Sequence, residues 1–170
     1  MKSSITYPAE DVVLGILEIE NGREAEKQGE RELLKQMLGY DVVLNHNEDG
    51  KPLIEGYNIS ISHTKGFVVI LLSKGLEVGI DIEYHSDRIQ KIARRFLRPD
   101  ETYTTTSDLL IAWCAKEAAY KLFSEEHLTY REMKVNVSKN QLINLKTTIT
   151  INFVPLIHSE YVIVMCWANK

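Results

Sequence analysis

Along these 170 residues the spacing of apolar and polar positions changes period several times, and each change predicts an element. Residues 11–20 (Asp-Val-Val-Leu-Gly-Ile-Leu-Glu-Ile-Glu) form a largely apolar run that stops at Asn21-Gly22, which predicts a strand and a turn. From Arg23 to Leu38 strong helix formers take over. Leu33, Leu34, Met37 and Leu38 supply a late core stripe, and Gly39 a stop. Val42–Leu44 predicts a short strand, and Asn45–Pro52 a polar turn. Tyr57–Ser62, Phe67–Ser73 and Leu76–Tyr84 predict three further strands. Their loops are short enough for an antiparallel meander.

The period then becomes helical. Ile89, Ile92, Ala93, Phe96 and Leu97 recur at spacings of three and four, which predicts an amphipathic helix over Asp87–Leu97 that ends before Pro99. Lys91, Arg94, Arg95 and Arg98 lie beside its apolar face as a basic stripe, either solvated or docking an acidic partner. A second helix is predicted over Ser107–Phe123, with Ser107 as its cap. Met133–Val137, Ile143–Phe153 and Tyr161–Trp167 read as strands. Together these elements make an α+β chain. Leu14-Gly15-Ile16-Leu17-Glu18-Ile19-Glu20 also echoes Val78-Gly79-Ile80-Asp81-Ile82-Glu83, with helical sequence after each, as a duplicated α+β unit would.

Candidate chemistry begins on the strand Val78–Tyr84. Alternation sends Val78, Ile80 and Ile82 to one face and Asp81 and Glu83 to the other. Two carboxylates about 5 Å apart repel by about 3 kcal/mol at an effective dielectric near 20, which a divalent cation reverses. Taken alone, the pair also fits a half-buried strand with a solvated outer face. On the second helix Trp113, Lys116, Glu117, Tyr120 and Lys121 fall on one side, and Leu110, Cys114, Ala118 and Leu122 on a stripe able to bury. Glu117 and Lys121 read either as an exposed i,i+4 ion pair or as a third metal ligand with a cation beside it. Oxygen ligands without a His or Cys cluster favour magnesium over zinc, and a magnesium site with a lysine suits a phosphate-containing substrate. No Gly-rich phosphate loop is present. Ser62 and His63, adjacent on a strand, point to opposite faces and cannot form a Ser–His nucleophile pair. A hydrogen-bonding or phosphate-contacting His63 fits better.

Composition narrows the class. With 44% hydrophobic and 26% charged residues, the chain has the proportions of a soluble globular domain. Its net charge of -4 argues against broad nucleic-acid binding. Apolar runs such as Phe67–Leu72 are too short to cross a membrane, and the first residues do not resemble a secretory signal. Cys114 and Cys166 lack metal spacing and read as buried, reduced thiols, as in a cytoplasmic protein.

These residues resemble the 4'-phosphopantetheinyl transferase superfamily. The family's Val-Gly-(Ile/Val)-Asp-(Ile/Val)-Glu strand is similar to Val78–Glu83, and its Trp-x-x-Lys-Glu-(Ala/Ser)-x-x-Lys helix to Trp113–Lys121. Arg95-Phe96 and Glu101 resemble an intervening Arg-Phe…Glu segment, Gly50-Lys51-Pro52 a turn, Ile59–Thr64 a Ser-His strand, and Arg31 an arginine of the first helix. The resemblance implies a phosphopantetheinyl transferase fold in one domain over residues 1–170, with two similar α+β subdomains (about 1–75 and 76–170) related by a pseudo-twofold axis. It implies magnesium-dependent transfer of phosphopantetheine from coenzyme A to a serine of an acyl or peptidyl carrier protein, releasing 3',5'-ADP. By motif, Asp81, Glu83 and Glu117 would hold magnesium, and Glu117 would take the serine proton. Lys121 would stabilise the pyrophosphate and leaving group, and Lys116 would play a supporting part. Arg31 and His63 would contact the 3'-phosphate, with Lys51 and Ser62 near the adenine. Tyr7–Val13 lacks the basic residues that longer members direct to the 3'-phosphate, so either coenzyme A binds more weakly or other residues compensate. A non-catalytic coenzyme A or carrier-binding module is the alternative, and an internal pair of subdomains suits a monomer.

Overall fold

A computed structural model describes all of residues 1–170. Four layers stack in the order helix, sheet, sheet, helix. The first sheet runs β1-β2-β6-β5, from strands Ser3–Ala9 (β1), Val12–Glu18 (β2), Asn58–Thr64 (β5) and Phe67–Ser73 (β6), all antiparallel. The second runs β7-β11-β10-β9-β8, from Glu77–Tyr84 (β7), Met133–Asn136 (β8), Gln141–Asn144 (β9), Ile149–Ile157 (β10) and Tyr161–Ala168 (β11). A two-residue ladder, Asn45–His46 (β3) with Pro52–Leu53 (β4), closes the polar turn. Helices occupy Arg23–Leu38 (α1), Arg88–Phe96 (α2) and Thr106–Leu122 (α3).

Strand alternation builds the layers. On β6, Phe67, Val69 and Leu71 face the second sheet and meet Val78, Ile80 and Ile82 of β7. The residues between them, Val68, Ile70 and Leu72, pack with Leu33 and Leu34 of α1. A strand covered on both faces needs no polar alternation, which is why β6 reads Phe-Val-Val-Ile-Leu-Leu. The largest apolar cluster lies beyond β7, where α2 and α3 cover the outer face of the second sheet.

The two halves share one path. In each, a first strand (β2, β7) leads into helix, and the last strand of a hairpin (β5-β6, β10-β11) returns to pair with that first strand. The echoed glycines hold equivalent places. A Cβ on Gly15 would meet the Met37 and Leu33 side chains of α1, and one on Gly79 would run into the Ala118 carbonyl oxygen of α3. Each marks where a helix presses closest to its strand.

Several expectations need correction. β7 does not continue a meander with β5 and β6; it leaves their sheet and pairs antiparallel with β11. Val42–Leu44 is not a strand. Ser3–Ala9, outside the expected elements, is edge strand β1. The expected strand Ile143–Phe153 is two strands, β9 and β10, separated by a turn with Thr148 in the left-handed region at φ 61°. The cap of α3 is Thr105, not Ser107, and its side chain accepts from the Asp108 amide at 3.2 Å. No helix is long and apolar enough to cross a membrane.

Candidate functional site

β7 turns Gly79, Asp81 and Glu83 toward α3, and the bare Gly79 lets that helix settle onto the strand beside Ala118. Glu117 and Lys121, flanking Ala118 on α3, are thereby carried to the acidic face. The outer face of β7 is therefore covered rather than solvated, and Asp81 is only 6% exposed.

Along its other edge β7 meets β5, without a backbone ladder. Side-chain hydroxyls take the ladder's place: Ser60, Ser62 and Thr64 accept from the amides of Ile80, Ile82 and Tyr84 at 3.1, 3.3 and 3.2 Å. Residue numbers rise together in these pairs, so the two strands run parallel. This seam joins the sheets and brings β5 next to Asp81.

Asp81 Oδ1 accepts from Ser62 Oγ at 3.0 Å and from Lys121 Nζ at 3.1 Å. Asp81 Oδ2 is buried and has no partner. Lys121 Nζ also donates to the carbonyls of Ile80 at 2.8 Å and Ile61 at 3.3 Å, so it ties β5, β7 and α3 together. The two outer carboxylates each have an aromatic donor. Trp113 Nε1 donates to Glu83 Oε1 at 3.3 Å, and Tyr130 OH donates to Glu117 Oε1 at 2.8 Å. The rings of Trp113 and Tyr130 lie 5.6 Å apart.

Burial pushes the Glu83 carboxyl up to about 7, and the charge of Asp81 adds to the shift. Burial raises the Glu117 carboxyl too, partly offset by the Tyr130 hydrogen bond. Tyr130 itself is raised by burial and by Glu117, so its hydroxyl stays a donor. As placed, no three acidic, His or Cys side chains form a group able to hold a metal ion. The donor set nevertheless fits a hard cation. Asp81 offers a buried, unpartnered oxygen, and burial and its charge raise the Glu83 and Glu117 carboxyls nearby, a shift that a cation would oppose.

Two cavities flank Lys121 and share Gly50, Pro52 and Ile61 as walls. One, of about 350 Å³, adds Glu30, His46, Ser62 and His63. The other, of about 150 Å³, adds Lys51, Ser60 and Tyr120 among its walls. Lys51 Nζ lies 3.4 Å from Glu77 Oε2. His63 Nδ1 lies 3.3 Å from Glu26 Oε1. Arg31 is exposed and lines neither cavity, whereas its neighbour Glu30 lines the larger.

Lys116 does not share the helix side of Glu117 and Lys121. It is fully buried, 2.5 Å from Glu101 Oε1, and donates to the carbonyls of Phe96 and Tyr130. Tyr130 escaped the sequence reading because it sits in a single-turn 3-10 helix, Tyr130–Glu132, with no periodicity to mark it. Of the basic stripe, Lys91, Arg94 and Arg95 are exposed. Arg95 lines a cavity of about 290 Å³ with Glu83 and Trp113, and Arg98 is paired with Asp100 at 2.9 Å.

A family model described as the 4'-phosphopantetheinyl transferase superfamily matches residues 77–166. The matched span opens with β7 and runs through α2 and α3 into β11, so it contains Asp81, Glu83, Glu117 and Lys121. No curated protein matches the chain.

Proposed function

The chain belongs to the 4'-phosphopantetheinyl transferase superfamily, and from that premise we propose that it moves the phosphopantetheine arm of coenzyme A onto a carrier-protein serine. The observation that carries this reading is the buried, unpartnered Asp81 Oδ2, on a carboxylate paired with Lys121, the lysine that lines both cavities.

In this reading Asp81, Glu83 and Glu117 would hold magnesium, which would supply neutralisation of pyrophosphate charge. Glu117 keeps Oε2 clear of the Tyr130 bond, and its raised carboxyl suits a base that accepts the serine proton. The serine oxygen forms a bond to the phosphorus of the phosphopantetheine, the pyrophosphate P–O bond breaks, and 3',5'-ADP leaves. Lys121 exchanges its longest bond, to the Ile61 carbonyl, for a pyrophosphate oxygen and steadies the leaving group. Lys51 and His63, at the two cavities, face the nucleotide.

A non-catalytic binding module is the second reading, favoured by the absence of a ready-placed three-ligand group. Incubation with coenzyme A, magnesium and a panel of apo carrier proteins separates the two. Release of 3',5'-ADP that depends on the carrier supports transfer; coenzyme A binding without release on any carrier supports the module.

A further inference from the structure

Ser62 has one proton and two lone pairs to use. Its proton goes to Asp81 Oδ1 at 3.0 Å, and one lone pair accepts the Ile82 amide at 3.3 Å. Ser62 is 7% exposed and sits where β5 and β7 meet. With the proton committed, the hydroxyl cannot also donate to a substrate phosphate or adenine, so its work is directed at Asp81. Lys121 shares the same oxygen from the helix side. Both donors engage Oδ1 and neither reaches Oδ2, so the carboxylate is held with one oxygen anchored and the other bare.

We propose that Ser62 is a positioning residue that fixes the carboxylate plane of Asp81 and reserves Oδ2 for the metal. The proposal rests on the reading of Asp81 as a magnesium ligand. Its physical content is the anchoring of a ligating carboxylate by its outer partners, whose loss commonly weakens metal binding 10- to 100-fold (order of magnitude). The neighbouring hydrogen bond that the Tyr84 amide donates to the Thr64 hydroxyl supplies a matched control, since it joins the same two strands without touching Asp81.

Magnesium binding measured by calorimetry in the absence of coenzyme A reads the effect directly. Ser62→Ala should weaken magnesium binding by about tenfold or more. Ser62→Thr, which keeps the hydroxyl, should restore most of it. Thr64→Val should lower the melting temperature while leaving magnesium affinity at the wild-type value. If Ser62→Ala does not fold, Ser62→Cys keeps the shape and weakens the donor, and the same loss is expected from it. Wild-type affinity in the folded Ser62 variants, alongside loss of binding in Asp81→Asn, overturns the role of Ser62 alone. So does a Thr64→Val variant that loses affinity as much as Ser62→Ala. A wild-type protein that binds no magnesium, or an Asp81→Asn variant that still binds it, overturns the metal reading and this proposal with it.

Discussion

Lys116 Nζ lies 2.5 Å from Glu101 Oε1, with both side chains almost completely withdrawn from water. Glu101 also accepts from the amides of Arg98 at 2.7 Å and Val135 at 2.7 Å, so one ion pair clamps α3 to the segment after α2 and to β8. Removing one partner strands a buried charge, which costs about 3–5 kcal/mol. Lys116→Met should destabilise the protein by about that much in urea unfolding. A loss below about 1 kcal/mol, the range of exposed pairs, would mean that water reaches the pair in solution.

The glycines of the two echoed strands should differ in their tolerance. At Gly79 an added methyl meets the Ala118 backbone, which cannot move without shifting α3. At Gly15 it meets first the Met37 sulfur, the far part of a flexible side chain. Overpacking in a filled interior costs about 1–3 kcal/mol and more where backbone must shift. Gly79→Ala is therefore expected to lower the urea midpoint more than Gly15→Ala does; the reverse order would contradict the close approach of α3 to β7.

Stability should also fall with pH because of Glu83. Its carboxyl rises from 4.5 to about 7 in the fold, so the native state holds that proton more tightly than the unfolded chain. The associated stability is complete below about 4.5 and is lost as pH climbs to about 7. Glu83→Gln removes the titration. Without metal, the wild-type protein should lose stability relative to this variant across that window, and magnesium should restore part of it above pH 7. No pH-dependent difference between the two would place Glu83 in water.

Much of the site could be read from sequence because its parts obey short-range periods. Alternation on β7 set Asp81 and Glu83 on one face, and the four-residue step from Glu117 to Lys121 set both on one side of a helix. What stayed hidden depends on distant partners. β7 leaves its sequence neighbours because β11, some eighty residues on, offers it an apolar strand to pair with, which no local pattern announces. Lys116 falls among charged neighbours on a helix wheel, which cannot show that Glu101 waits inside. β1 is an edge strand exposed along most of its length, so it carries little of the alternation that buried faces impose. The turn between β9 and β10, Leu145-Lys146-Thr147-Thr148, contains neither Gly nor Pro to announce it. Ser60, Ser62 and Thr64 were visible as alternating hydroxyls, but their function as the seam to β7 needs the parallel register of the two strands.

Glu117→Gln keeps the size of the side chain and can still accept from Tyr130, yet it removes the charge and the base. Loss of a general base costs about 100- to 10,000-fold in rate. Transfer by this variant should drop by at least about 100-fold while the melting temperature stays within a few degrees of wild type. Unchanged transfer would remove Glu117 from the chemistry.

The most direct measurement is the intact mass of an apo carrier protein after incubation with the wild-type chain, coenzyme A and magnesium. The expected result is a mass gain of one phosphopantetheine arm on the acceptor serine, absent when magnesium is chelated and absent when that serine is replaced by alanine. No gain on any acyl or peptidyl carrier, from a folded protein that binds both coenzyme A and magnesium, would contradict the account.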